Sequence, residues 1–185
     1  MDHRLQELWD HHEIRQLLAA YCHGCDRGDE VEMASTYAPD SWDDHGSKKM
    51  DGRSFSIFTV GDSLRSTNCI SHLLGQSQIR VDGDRAGAET YFIATLLFKP
   101  REPDGPETIA QMGGRYVDRL IRLDGSWKIK DRVCVREWSH GQPVKGDWLR
   151  NAGFVNQQRD GTDASYAALA MQHSGNPWLT EEQAG

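Results

Sequence analysis

The stretch from Thr67 to Trp138 most constrains what this chain can become. "NCISHLLGQSQIRV", "AETYFIATLLFK", "TIAQMGGRYVDRLIRL" and "WKIKDRVCVREW" each read as a long strand. "DGDRAG" joins the first two and "DGS" the last two as tight turns, and "PREPDGPE" is a looser middle loop. Several of these strands are apolar on both faces. A sheet made from them cannot lie flat with one side in water, so it must curl around something.

What it curls around comes earlier in the chain. Leu5, Leu8, Trp9, His12, Leu17, Leu18 and Tyr21 recur at three- and four-residue spacing, the stripe of an amphipathic helix that Gly24 or Gly28 can end. Asp29 with Glu32 resembles a capping box and opens a second helix, bearing Val31, Met33, Ala34 and Tyr37 and ending at "APD". "SWDDHGSKKMDG" reads as a short strand or hairpin with Asp51-Gly52 as its turn. "RSFSIFTVGDSLRS" supplies a third helix through Phe55, Ile57, Phe58 and Leu64, with Gly61 as its weak point. The expectation is one α+β domain over residues 1–138, a curled antiparallel sheet packed on three N-terminal helices. Residues 139–185 form a C-terminal extension. Its Trp148, Phe154, Tyr166 and Trp178 are too apolar to stay in water, which predicts that it covers the sheet or a neighbouring subunit in a homo-oligomer.

Bulk properties remove several function classes. At 185 residues, with 37% hydrophobic residues and six Trp, the chain can bury a core of its own. Net charge is −7 and no basic cluster exceeds "SKK", which speaks against nucleic acid as a partner. No apolar run approaches bilayer length, so no membrane role is expected. The N-terminus "MDHRLQELWDHHEIRQ" is too charged for a signal peptide, so the expected location is cytoplasmic. Cys22, Cys25, Cys69 and Cys134 are then thiols.

Metal and redox readings fail on spacing. Cys22-x-x-Cys25 with His23 could start a zinc knuckle, but no second pair follows. A redox pair would open a helix after a strand, and this one closes a helix. His11 and His12 point about 100° apart on a helix and cannot grip one ion together. Asp43, Asp44 and His45 in "WDDH" alternate across a strand and read as a polar edge. No metal and no cofactor are expected. Acid–base chemistry remains. Tyr21 and Asp26 flank the end of the first helix, and His72 lies in an apolar strand between Ile70 and Leu74. Such a His is ordinarily core, unless a buried carboxylate faces it and fixes its tautomer. Spacing alone does not pair Asp26 with His72.

The order of several loose motifs is more specific than any one of them. A helix ends in Y-x-x-x-x-D-x-G-D (Tyr21, Asp26, Gly28, Asp29), followed by Y-x-x-D (Tyr37, Asp40) and a Gly at 52. A His then sits early in the first long strand ("SHLLG"), and G-x-W-K-I (Gly125 to Ile129) opens the last. Over roughly residues 5–138 this resembles the SnoaL-like family of the nuclear-transport-factor-2-like superfamily. The resemblance implies a cone-shaped α+β barrel enclosing a deep apolar pocket. It also implies a cofactor-independent lyase, a dehydratase-type enzyme acting by β-elimination on a small cyclic or aromatic hydrophobic molecule. In that reading His72 is the general base, Asp26 its partner, and Tyr21 matches a tyrosine placed near the leaving group. Arg132 is similar to an arginine that some members point into the pocket. Strand parity groups it with Lys128 and Lys130, so reaching the pocket requires a bulge. Around residue 95, where a bile-acid-acting member carries another acid, this chain has "IATLL", which separates it from that substrate. Trp42, Phe55, Phe58, Cys69, Tyr91 and Ile93 are the expected pocket wall. Family precedent favours a trimer over a dimer. The same pair would serve an isomerase or cyclase, and the fold also serves non-catalytic hydrophobic-ligand binders and structural subunits.

Overall fold

Gly28 makes the first corner of the chain. In the computed structural model, which describes residues 3–144 and 152–170, α1 (His3–Arg27) stops where Gly28 takes φ of +75°. Asp29 then caps α2 (Glu30–Ser35), accepting from the Glu32 amide at 2.9 Å. Glu32 does not complete the box; its carboxylate lies 2.6 Å from His23 Nδ1. The two helices cross closely at Gly24, where a Cβ would come within 2.6 Å of the Met33 nitrogen.

The segment after α2 enters the sheet at once. β1 (Tyr37–His45) and β2 (Lys48–Met50) form the hairpin, with its turn at Gly46, φ +75°. Asp51 is no turn residue. It caps α3 (Gly52–Ser66) by accepting from the Ser54 amide at 2.9 Å. β3 (Thr67–Asp82), β4 (Arg85–Phe98), β5 (Thr108–Leu123) and β6 (Ser126–Pro143) follow as an antiparallel meander, so the last strand continues past Trp138.

The six strands are ordered β2-β1-β6-β5-β4-β3 in one curled, unclosed sheet, and the protein is an α+β fold of the cone type. β1 pairs parallel to β6, so the sheet is mixed rather than antiparallel throughout. Parallel neighbours need a crossover instead of a hairpin, and α3 lies in that connection.

Two clusters fill the concave side. One gathers Tyr21, Cys22, Met33, Tyr37, Phe55 and Phe92; the other holds Ile14, Leu18, Ile79, Leu120 and Trp127. α1 buries a different face near its start than the apolar stripe predicts. Leu5, Leu8 and Trp9 are exposed, and Asp10 is buried in their place. Asp10 accepts from Arg122 at 2.6 Å, Gln6 at 3.0 Å and the Trp127 indole at 3.4 Å, and this anchor sets the rotation of the helix. Burial alone would raise its pKa, but these donors hold it below the usual carboxylate range.

Part of the extension lies against the α1–α2 corner. Arg27 meets Asp163 at 2.9 Å, and Tyr166 of α4 (Ala164–Leu169) donates to Asp29 at 3.2 Å. Phe154 is exposed, and Trp148 and Trp178 lie outside the described residues. No helix among the described residues is long and apolar enough to cross a membrane.

Candidate active site

The last turn of α1 and the first turn-length of β3 bring together two residues far apart in sequence. Asp26 Oδ1 lies 2.6 Å from His72 Nδ1, and Asp26 Oδ2 accepts from the His72 backbone amide at 2.9 Å. One carboxylate thus fixes both the ring and the strand that carries it. Both side chains are only 10% exposed. With Nδ1 committed to the carboxylate, Nε2 is the nitrogen left to meet a ligand.

Residues 157–159 hold the same turn from behind. Gln157 donates to the Asp26 carbonyl at 3.3 Å and to the Ile70 carbonyl at 2.7 Å. Arg159 donates to the Asp26 carbonyl at 3.2 Å and the Cys25 carbonyl at 3.0 Å, and also reaches the hydroxyls of Ser63 and Thr67. The end of α1 therefore has its open carbonyls capped by a distant segment.

His72 faces a cavity of about 330 Å³ between α3 and the curled sheet. Its walls are mainly apolar, with Phe55, Phe92, Leu96 and Met112 among them, and Tyr21 and His45 converge on it as polar groups. A larger groove of 640 Å³ lies by Asp10 and Arg122, but those charges already neutralise each other. Tyr21 is buried, which raises its hydroxyl pKa well above 10; Arg132 only partly opposes this. It stays a protonated donor.

Arg132 is fully buried and reaches the concave side through a bulge. Leu120 pairs with Ile129 and Arg119 with Asp131, so Lys130 is the extra residue that reverses the parity of β6. The guanidinium pairs with Asp118 at 2.7 and 2.8 Å and lies 4.1 Å from the centres of both the Tyr21 and Tyr116 rings. It stands behind these rings and is not part of the cavity wall.

The expected wall residues divide by strand parity. Phe55 and Phe58 line the cavity, and Trp42, Cys69, Tyr91 and Ile93 do not. On β4 the concave face is carried by Phe92 and Ala94, while Tyr91 and Ile93 are exposed on the other side. On β3 a bulge between Thr67 and Cys69 gives the concave side to Ile70 and His72. Trp42 is 47% exposed, opposite the buried Asp43.

Asp43 and His45, a polar edge by sequence, belong to the site instead, and Gln157 and Arg159 were not singled out at all. Asp43 is fully buried, accepts from the Tyr37 hydroxyl and pairs with His45 Nδ1. Their i, i+2 spacing on a strand was the available signal, since it places both on one face. Nothing local to Gln157 or Arg159 marks them.

Cys25, Asp26 and His72 are the one group of three metal-ligating side chains found close together among the described residues, within 4.8 Å. Both Asp26 oxygens are already hydrogen-bonded to His72, which leaves a poor ligand set for an ion. Burial, with Asp26 adding to it, pushes the Cys25 thiol up to about 12, so it is held as a neutral thiol.

Comparisons with known proteins bear on the family and the fold. Residues 6–133 match the SnoaL-like domain. An uncharacterised protein of Mycobacterium tuberculosis (strain ATCC 25618 / H37Rv) is 27% identical over 129 residues, 69% of this chain and 85% of the other. A candidate scytalone dehydratase from Novosphingobium aromaticivorans superposes with TM-score 0.65 at 19% identity, over 76% of this chain and 92% of that one. A hexachlorocyclohexane dehydrochlorinase from Novosphingobium barchaimii superposes with TM-score 0.64 at 17% identity, over 78% and 96%.

Proposed function

The chain belongs to the SnoaL-like family, and on that premise we propose that it is a lyase eliminating water or a similar small group from a small cyclic hydrophobic molecule. The observation that carries this reading is the Asp26–His72 pair opening onto a mainly apolar cavity. Two of the structural neighbours, a dehydratase candidate and a dehydrochlorinase, support it at the level of reaction type.

The residues divide the work as follows. His72 Nε2 takes a proton from the carbon beside an activating group. Asp26 accepts from Nδ1–H, keeps the ring oriented and balances the imidazolium that forms. Tyr21 donates a hydrogen bond to the oxygen on which charge develops. No step calls for a group beyond these side chains. An isomerase or cyclase would begin with the same proton abstraction, so the product decides between them.

The direct experiment is a screen of cyclic β-hydroxy and β-halo carbonyl compounds for alkene formation. His72→Ala should lower the rate by roughly 10²–10⁴-fold. Activity that survives this substitution unchanged would remove His72 from the mechanism. We further propose a cytoplasmic homo-oligomer; exposed apolar residues on the sheet, Leu73, Ile93 and Val133 among them, support the self-association.

A further inference from the structure

We infer that His45, held by Asp43, is a second acid–base group of the same cavity, delivering a proton to a departing oxygen while His72 removes one from carbon. The inference rests on the lyase reading above.

Asp43 is wholly buried, and both of its oxygens are used, one by the Tyr37 hydroxyl and one by His45 Nδ1. Burying a carboxylate is costly unless it is fully hydrogen-bonded, and a mere polar edge would not need it. The imidazole it holds is fixed from two further sides. It stacks on Phe55 at 4.3 Å and 21°, and it leans against Tyr116 at 6.2 Å. His45 Nε2 is then the nitrogen free for a ligand, as in the first pair.

Topology puts the two imidazoles at separate points of one wall. His45 comes from β1 and His72 from β3, with β6, β5 and β4 between those strands in the sheet. Only the curl of the sheet lets both line one cavity. His72 lies beside Phe92 at 6.4 Å, His45 lies beside Tyr116, and Phe92 stacks on Tyr116 at 4.3 Å and 13°. A flat ring lying along that aromatic pair meets one imidazole beside each member.

Tyr21 is the other candidate donor, but a phenol buried this deeply holds its proton too tightly to release it each turnover. An imidazole is matched to proton transfer near neutral pH. The His45 side chain is also the more open, 21% exposed against 10% for His72, so a spent proton is replaced from water more readily there. The step balances. His72 Nε2 takes the proton, the C–H electron pair becomes the new C=C bond, and the C–O pair leaves with oxygen. That oxygen takes the proton from His45 Nε2 and departs as water. Solvent exchange returns one proton to His45 and removes one from His72.

A halide leaves as a stable anion and needs no proton, which gives the test. 3-Hydroxycyclohexanone and 3-chlorocyclohexanone both give 2-cyclohexenone, followed by its ultraviolet absorbance with the buffer rate subtracted. His72→Ala should slow both substrates. His45→Gln should slow the hydroxy ketone by about 10²-fold or more beyond whatever it does to the chloro ketone. If His45→Gln slows both alike or neither, the second group is overturned, while a His72→Ala loss keeps the lyase reading standing. Should neither ketone react, nitrogen-15 spectra of the histidine rings with 2-cyclohexenone as probe decide on the unmodified protein. Shifts at Nε2 of both His45 and His72 are expected. A shift at His72 alone overturns the second group and spares the first; a shift at neither overturns both.

Discussion

Asp118 and Arg132 meet where no water reaches, each side chain fully enclosed. Burial works against the guanidinium charge, yet Asp118, with Tyr37 and Tyr21 adding to it, keeps the Arg132 pKa well above its ordinary value. Asp118→Ala would leave a buried cation between two tyrosine rings, with Nη1 already lacking a hydrogen-bond partner among the described residues. The expected loss is roughly 3–5 kcal/mol in chemical denaturation. An unchanged midpoint would show that water enters behind Tyr21. At this scale the motif order singled out Tyr21, Asp26 and His72, and the structure sets Asp26 against His72 and puts Tyr21 and His72 on one cavity. The sequence was unreadable where one residue's parity decides. Tyr91 and Ile93 look as suited to a pocket as Phe92 and Ala94, and only the register of β4 against its neighbours separates them. His45 was hidden because its partner Asp43 reads as surface charge, and only the pairing of β1 beside β6 makes β1 an inner strand with Asp43 buried.

The elements are held at their ends. Asp29, Asp51 and Asp163 each cap a helix by accepting from a backbone amide two or three residues on. Asp163 does more than its helix needs. It also accepts from the Ser165 hydroxyl, the Gln158 amide and Arg27. Burial would raise its pKa, but these donors hold it well below the carboxylate range. A depressed folded-state value means that its stabilisation is complete above the unfolded carboxylate pKa of about 4 and is lost as pH falls toward the folded value. Residues 152–170 should therefore loosen in acid before the sheet does, seen as faster amide exchange in α4. Asp163→Asn should abolish that pH dependence and weaken the latch at neutral pH by about 1–3 kcal/mol. Equal acid sensitivity in the variant would assign it to another carboxylate. Element types were legible from periodicity and caps, and the β1–β6 pairing was not, because a parallel contact between distant segments leaves no local pattern.

On the scale of the whole molecule, the convex side of the sheet carries what the concave side does not use. Leu73, Ile93, Val133 and Trp138 are exposed there, and Leu73 pairs with Ile93 across β3 and β4. A contiguous apolar face of this kind favours self-association. Sedimentation at micromolar concentration should find a multiple of the chain mass, and Ile93→Glu should lower it. A single-chain species for the unmodified protein would refute the oligomer.

The contacts of Gln157 and Arg159 with the Asp26 carbonyl span 131 and 133 residues of sequence. A ribosome makes Asp26 and His72 long before it makes the residues that clamp the turn between them. The nascent chain can shape its sheet early, but the imidazole acquires its final support only once residues 157–159 have been made. Contacts of such separation are also the slowest to close during refolding. Catalytic competence should thus trail the recovery of secondary structure, both at the ribosome and after dilution from denaturant.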